Sequence, residues 1–146
     1  MTDGPSMQAV AMIQPVLAMA MWSFVMFLWM LLTRMQAMSA LQLGPEEAQD
    51  TAALRRKLPH KSNQDANNYN HLFEQPVVFY ALCLSITVLG MADTLFVIGA
   101  WIYVALRGCH SLVQAIVDVV RLRFLFFGSA WLLLAALTLR ATFLLP

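Results

Sequence analysis

Four stretches of this chain are each long and apolar enough to cross a lipid bilayer, which takes about 20 largely apolar residues in one helix. The first runs from about Ala9 to Thr33, interrupted only by Gln14, Pro15 and Ser23. The second runs from about His71 to Leu89, the third from Thr94 to about Val117, and the fourth from Phe124 to Leu145. The predicted fold is an all-α integral membrane protein, a bundle of four transmembrane helices. Composition points the same way: 60% of residues are hydrophobic and 12% charged, against about 45–50% and 25% in a soluble domain. The first run is expected to be a permanent span. No positive residue precedes it in "MTDGPSMQ", and it exceeds the 7–15 residues, roughly, of a signal-peptide core.

Basic residues set the orientation. Arg34, Arg55, Arg56, Lys57 and Lys61 lie in or beside the connection between the first two spans, and Arg121 and Arg123 lie between the last two. The positive-inside rule puts both connections on the cytoplasmic side and both termini on the non-cytoplasmic side. Arg140 alone sits near the opposite end, where it can snorkel to the interface. The formal net charge is +1, and no basic stripe or recognition motif points to nucleic acid. Cys83 and Cys109 lie inside apolar runs without a CxxC or metal spacing, as inert thiols do. The chain reads as one domain over residues 1–146, with no repeat.

Its single long loop covers about 35–65. Within it, "GPEEAQDTAALRRKLP" opens on Gly44-Pro45, carries Glu46 and Glu47 early and Arg55 to Lys57 late, and stops before Pro59. That charge polarity suits a helix dipole and predicts a short cytoplasmic or interfacial helix. Pro15 and Pro76 are expected to kink spans one and two. The methionines of span one, Met12, Met19, Met21, Met26 and Met30, suit an adaptable packing surface.

The connection "LGMAD" (Leu89 to Asp93) is so short that spans two and three must be antiparallel neighbours. In a hairpin centred on Gly90-Met91, residues at equal depth have numbers summing to about 181. Glu74 then lies level with Arg107, His71 with His110, Asn70 with Ser111, and Asn67 with Gln114. Asn67, Asn70, His71 and Glu74 share one helical face; Arg107, His110, Ser111, Gln114 and Asp118 share another. A charge near mid-bilayer costs at least about 2.5–3.5 kcal/mol, so both stripes should face the bundle, with Glu74 paired to Arg107. Two readings stand at this point: a polar lock between helices, or a ligand site opening to the cytoplasm. Two histidines beside one glutamate, with no further ligand in spacing, do not predict a metal site. Arg121 and Arg123 serve either as interfacial anchors or as contacts to an anionic ligand.

The stretch "NHLFEQPVVFYALCL", a tight hairpin, and then "VALRGCHSLVQ" together resemble the MAPEG family, the membrane-associated proteins in eicosanoid and glutathione metabolism. The likeness runs from about Asn63 to the C-terminus, span one agreeing only in character. It implies a homotrimer with sites in intersubunit clefts near the cytoplasmic face. It also implies bound glutathione, with Arg34, His71, Glu74, Arg107 and His110 holding the peptide and Arg123 stabilising its thiolate, the effective nucleophile. The chain departs from the catalytic pattern in carrying Asn67 and Asn70 where arginines are expected, His71 for an asparagine, and Gln114 for a tyrosine. Phe124 stands for a hydroxyl residue and Phe127 for a second tyrosine. The implied function is a glutathione-dependent transferase or peroxidase acting on lipophilic substrates. The alternative is a non-catalytic lipid-binding or scaffold protein of the same fold. A small transporter is the weakest reading, because no pair of broken helices is evident in the sequence. The expected partners are the bilayer, further copies of the chain, and a lipophilic small molecule or lipid. The expected location is a bacterial inner (plasma) membrane.

Overall fold

The computed structural model describes residues 6–145. Residues 1–5 and 146 lie outside it, and with them the terminal residues that were expected on the non-cytoplasmic side. The described chain is helical, and four stretches are long and apolar enough to cross a membrane: Met7–Ala40, His60–Val88, Thr94–Val117 and Val120–Leu144. Much of their apolar surface faces outward, from Leu17 and Phe24 to Leu132 and Phe143. That is the pattern of a surface bathed in hydrocarbon rather than water.

Helix α1 (Met7–Ala40) starts at Ser6, whose hydroxyl accepts from the Ala9 N–H at 3.1 Å. Pro15 lies buried inside this helix, which continues on either side of it. At 1.5 Å per residue its 34 residues span about 51 Å, well beyond a hydrocarbon core of about 30 Å. The excess projects past Thr33 and carries Arg34 into the polar end of the molecule. Met12, Met19 and Met26 recur every seven residues on its buried face, in the packing role expected of them, whereas Met21 faces outward and Met30 is only partly buried.

The long connection is more ordered than its composition suggests. A 3₁₀ turn, Pro45–Ala48, leads to α2 (Thr51–Lys57), whose first N–H groups Asp50 caps at 2.9 and 3.0 Å. This is the helix expected between Gly44 and Pro59, delivered in two pieces. Beyond Pro59 the loop ends sooner than expected, because α3 (His60–His71) is already helical where residues up to about 65 were read as irregular.

Span two also differs. The chain does not run straight through Glu74: α3 closes with tight bonds from Leu72 N to Tyr69 O and from Phe73 N to Asn70 O, and α4 (Gln75–Val88) begins afresh. Pro76 supplies the reason. It has no N–H for the Leu72 carbonyl, and its ring would collide with that carbonyl in a continuous helix. The expected kink is thus a break, and Pro76 becomes a residue of the first turn of α4.

At the other end, Gly90 takes a φ of +67°. Its N–H donates to Thr87 O, and that of Met91 to Ile86 O, closing α4 in the paired pattern that favours glycine. Asp93 then caps α5 (Thr94–Leu112) through the Phe96 N–H at 3.0 Å. Its carboxylate also receives both terminal nitrogens of Arg140, on α6 (Val120–Leu144), at 2.5 and 3.2 Å; that guanidinium lies 4.2 Å from the Phe96 ring centroid. The one cation expected to snorkel alone therefore has a partner.

The Arg140 hydrogen bond holds the Asp93 carboxyl below the usual carboxylate range. A depressed native pKa gives stability that is present at neutral pH and lost as pH falls through the lowered value, here below about pH 4. Asp93→Ala is expected to lower unfolding stability in detergent by about 1 kcal/mol for the cap, plus a further fraction of a kcal/mol, roughly, for the half-exposed pair. Asp93→Asn keeps a capping oxygen and should lose only the acid-sensitive part. Identical acid profiles for wild type and Asp93→Asn would contradict this assignment.

The four spans close into a ring, α1 against α3–α4 and α5, and α6 against α5 and α4. Spans two and three, expected to be neighbours, thus lie across the ring from each other, with α1 and α6 between them. Phe79 and Tyr103 stack at 4.3 Å in its interior. Gly99 lets α5 approach α6 closely, since a Cβ there would fall 2.8 Å from the Leu137 side chain.

Candidate functional site

The polar residues collect at the end of the bundle where α2, α3 and the α5–α6 connection meet. After Leu112 the last turn of α5 widens into a π-turn, Val113–Val117, and Asp118 closes it in a left-handed conformation with φ +54°. Its N–H donates to Val113 O at 2.7 Å. Wide turns of this kind recur at functional sites. Here the turn reverses the chain so that Arg123, one turn into α6, comes back beside the end of α5.

Arg123 is fixed from two sides. Its Nη1 donates to Asp118 Oδ1 at 2.9 Å, and its backbone carbonyl accepts from His110 Nδ1 at 3.0 Å. That contact requires the hydrogen of His110 on Nδ1, leaving Nε2 buried with no protein partner. The His71 and His110 rings lie 6.4 Å apart, and each packs near Phe127. The equal depth read from the hairpin ruler therefore holds for the histidines.

It fails for the acid and the guanidinium. Glu74 and Arg107 form no ion pair. Glu74 Oε2 instead contacts His71 Nδ1 at 2.9 Å and is more than half exposed. Arg107 is fully buried and donates Nη2 to the His71 carbonyl at 2.9 Å. The break before Pro76 explains the change, because Glu74 leaves the helical track on which the ruler depends. Arg107 serves the α3 terminus instead, where a carbonyl has lost its helical partner and the helix dipole favours a cation.

The expected inward face of α3 is also rotated. Its buried polar side chains are Ser62, Gln64, Asp65 and Asn68, not Asn67, Asn70 and Glu74. Asn68, rather than Asn70, meets Ser111, donating to its carbonyl at 3.1 Å. Leu72, the buried apolar residue just past this helix, could have given the correct face from sequence, since Asn68 and Asp65 stand four and seven residues before it. On α5 and its π-turn most of the expected face is correct, with Arg107, His110, Ser111 and Gln114 all buried, but Asp118 is left partly exposed where the left-handed residue takes it off the helical track.

Three cavities divide the candidates. One of about 660 Å³ has Arg55, Arg56, His60, Asn67, Gln114 and Arg123 among its walls. A second, of about 320 Å³, is formed by His71, His110, Val120, Arg123, Phe124 and Phe127. A third, of about 520 Å³, holds Arg34 with Met30, Arg55, Asn67 and Asn70. Arg123 belongs to the first and second and stands where the polar cavity meets the aromatic one. His71, His110 and Arg123 are thus brought together, Arg107 lies behind them, and Arg34 is in a different hollow. Arg55, Arg56 and His60 were not singled out as site residues from sequence.

Several buried polar atoms here have no protein partner: both amide atoms of Gln114, Ser111 Oγ, Nε and Nη1 of Arg107, and Nε of Arg123. Leaving such an atom unsatisfied costs about 1–3 kcal/mol; of these residues Gln114 and Arg123 line the 660 Å³ cavity, where a polar guest can meet them. The volumes fall in or near the range of about 300–1,000 Å³ that small-molecule sites occupy. The 660 Å³ cavity sets Arg55, Arg56 and Arg123 against the single carboxylate of Asp118, a wall suited to an anionic guest.

Residues 12–143 match the family model described as the MAPEG family. No curated protein and no solved structure matches the chain.

Proposed function

The chain belongs to the MAPEG family, and on that premise we propose that it is a glutathione-dependent transferase or peroxidase acting on lipophilic molecules drawn from the bilayer. The observation that carries this reading is the place of Arg123, shared by a cationic polar cavity and an aromatic one. Such a junction suits a reaction between a water-soluble thiol and a membrane-dissolved electrophile. The positive-inside rule supports a cytoplasmic side for the polar cavity, where glutathione is found.

Glutathione supplies the nucleophilic sulfur. The Arg123 guanidinium lowers the pKa of that thiol by stabilising its anion. Asp118 and the His110 contact hold Arg123 at the junction. Arg107 secures the end of α3 and so positions His71; Glu74 sets the His71 ring from the outer side. Arg34 faces the neighbouring hollow and extends the cationic surface. Phe124 and Phe127 present an apolar wall to the electrophile. A homotrimer would cover the half-exposed Glu74 and the apolar flanks of the spans.

The direct test is turnover of a model lipophilic electrophile by the purified protein in lipid nanodiscs. Rates should saturate with millimolar glutathione. A second reading, a non-catalytic lipid-binding or scaffold protein, is favoured by one observation: Asp118 already neutralises Arg123 at 2.9 Å. Absence of both turnover and thiolate formation would support that second reading against the first.

A further inference from the structure

Helix α2 brings to this end of the molecule a cation that the α3 sequence lacks. Arg55 Nη2 donates to Asn67 Oδ1 at 2.7 Å, across twelve residues. Its backbone is also pinned: Asn63 Nδ2 donates to the carbonyls of Arg55 at 2.8 Å and Leu58 at 3.3 Å. Leu54 and Leu58 on either side are buried at 0% and 6% exposure. The Asp50 cap and the Lys57–Glu47 ion pair fix the two ends of the segment. A seven-residue helix has little stability alone, so these tethers are what place the guanidinium.

Arg55 stands in the walls of both the 660 Å³ and the 520 Å³ cavities. Together these walls present Arg34, Arg55, Arg56 and Arg123 against the single carboxylate of Asp118, in a chain whose formal net charge is only +1. Among the described residues, Arg55 faces no carboxylate within ion-pair distance; its one side-chain bond goes to a neutral amide. An oriented guanidinium without a counterion is a carboxylate receptor, because its planar fork matches the two oxygens.

We propose that Arg55, oriented by Asn67, is the residue that selects the thiol substrate by binding one of its peptide carboxylates. The proposal rests on the glutathione reading above and adds to it a specificity residue on the loop helix. Asn67 acts through Arg55 as a positioning residue. Preorganisation lets the contact form with little loss of side-chain freedom.

The test uses the full chain in nanodiscs and isothermal titration with two probes, glutathione and its diethyl ester. Arg55→Gln keeps a partner for Asn67 but removes the charge. It should weaken glutathione binding roughly tenfold to a hundredfold, the range of a charge-assisted hydrogen bond, and leave ester affinity unchanged. Asn67→Ala should give a smaller loss with the charge retained. At saturating glutathione, the thiolate signal of Arg55→Gln should equal that of wild type. Glutathione binding by Arg55→Gln within twofold of wild type overturns the assignment, as does an equal loss in Arg56→Gln, which would mark a diffuse field. Failure of wild type to bind glutathione overturns both this inference and the function on which it rests.

Discussion

Arg123→Ala is expected to lower turnover of a lipophilic electrophile by roughly a hundredfold to a thousandfold, the usual effect of deleting one donor to a developing anion. The loss should appear in kcat, since Arg123 acts on the ionised sulfur more than on the resting peptide. Glutathione affinity should change less, because Arg34, Arg55 and Arg56 still line the polar hollows. Folding should survive. Arg123 is only partly buried, its carbonyl contact with His110 belongs to the backbone, and removing its side chain leaves Asp118 partly solvated. Arg123→Lys keeps a charge but loses the planar fork and should recover part of the rate. Asp118→Asn sharpens the test. If Asp118 only orients Arg123, an amide keeps the hydrogen bond and leaves the guanidinium free to stabilise the sulfur anion, so bound glutathione should ionise at lower pH. Undiminished turnover in Arg123→Ala would remove this residue from the chemistry.

Arg107 should separate stability from function. It is fully buried, makes one hydrogen bond to protein, and leaves Nε and Nη1 without protein partners. Alanine there would open a cavity and strand the His71 carbonyl. Large-to-small core changes cost about 2–5 kcal/mol, and the stranded carbonyl adds about 1–3 kcal/mol. Arg107→Ala is thus expected to cause the larger stability loss, read by denaturant or thermal unfolding in detergent. Arg107→Met fills most of the volume without a charge to desolvate. It still strands the His71 carbonyl, so this variant should fall between Arg107→Ala and wild type in stability. It should still lose glutathione affinity, because nothing then holds the end of α3 that carries His71. Equal unfolding curves for Arg107→Ala and wild type would contradict the structural role. Wild-type affinity in Arg107→Met would contradict the functional one.

The span pattern was legible because hydrocarbon imposes a simple condition, about 20 apolar residues in a row. The antiparallel course of spans two and three was legible too, since only five residues join them from Leu89 to Asp93, but not their placement across the ring, because α1 and α6 come between them. From that course came the shared depth of His71 and His110 and the buried face of α5. Glu74 was misplaced by treating span two as one helix, although Pro76 carried the warning two residues later. The face of α3 was hidden because nearly every side chain from His60 to His71 is polar, so periodicity had no contrast to show. Arg55 was missed for a different reason. Its position depends on tethers from Asn63 and Asn67, and contacts across a loop leave no period in a sequence. The Asp118–Arg123 pair depends on a left-handed residue after a π-turn, which composition does not announce.

The most direct measurement is the ionisation of glutathione bound to the purified protein, followed by ultraviolet difference spectroscopy as pH is raised. The expected result is a thiolate signal that appears with saturating glutathione near neutral pH, well below the range of a free thiol at about 8.5, and that Arg123→Ala abolishes. A bound thiol that ionises only in its ordinary range, with wild type and Arg123→Ala superimposed, would show that the junction between the two cavities is not where a sulfur nucleophile is made.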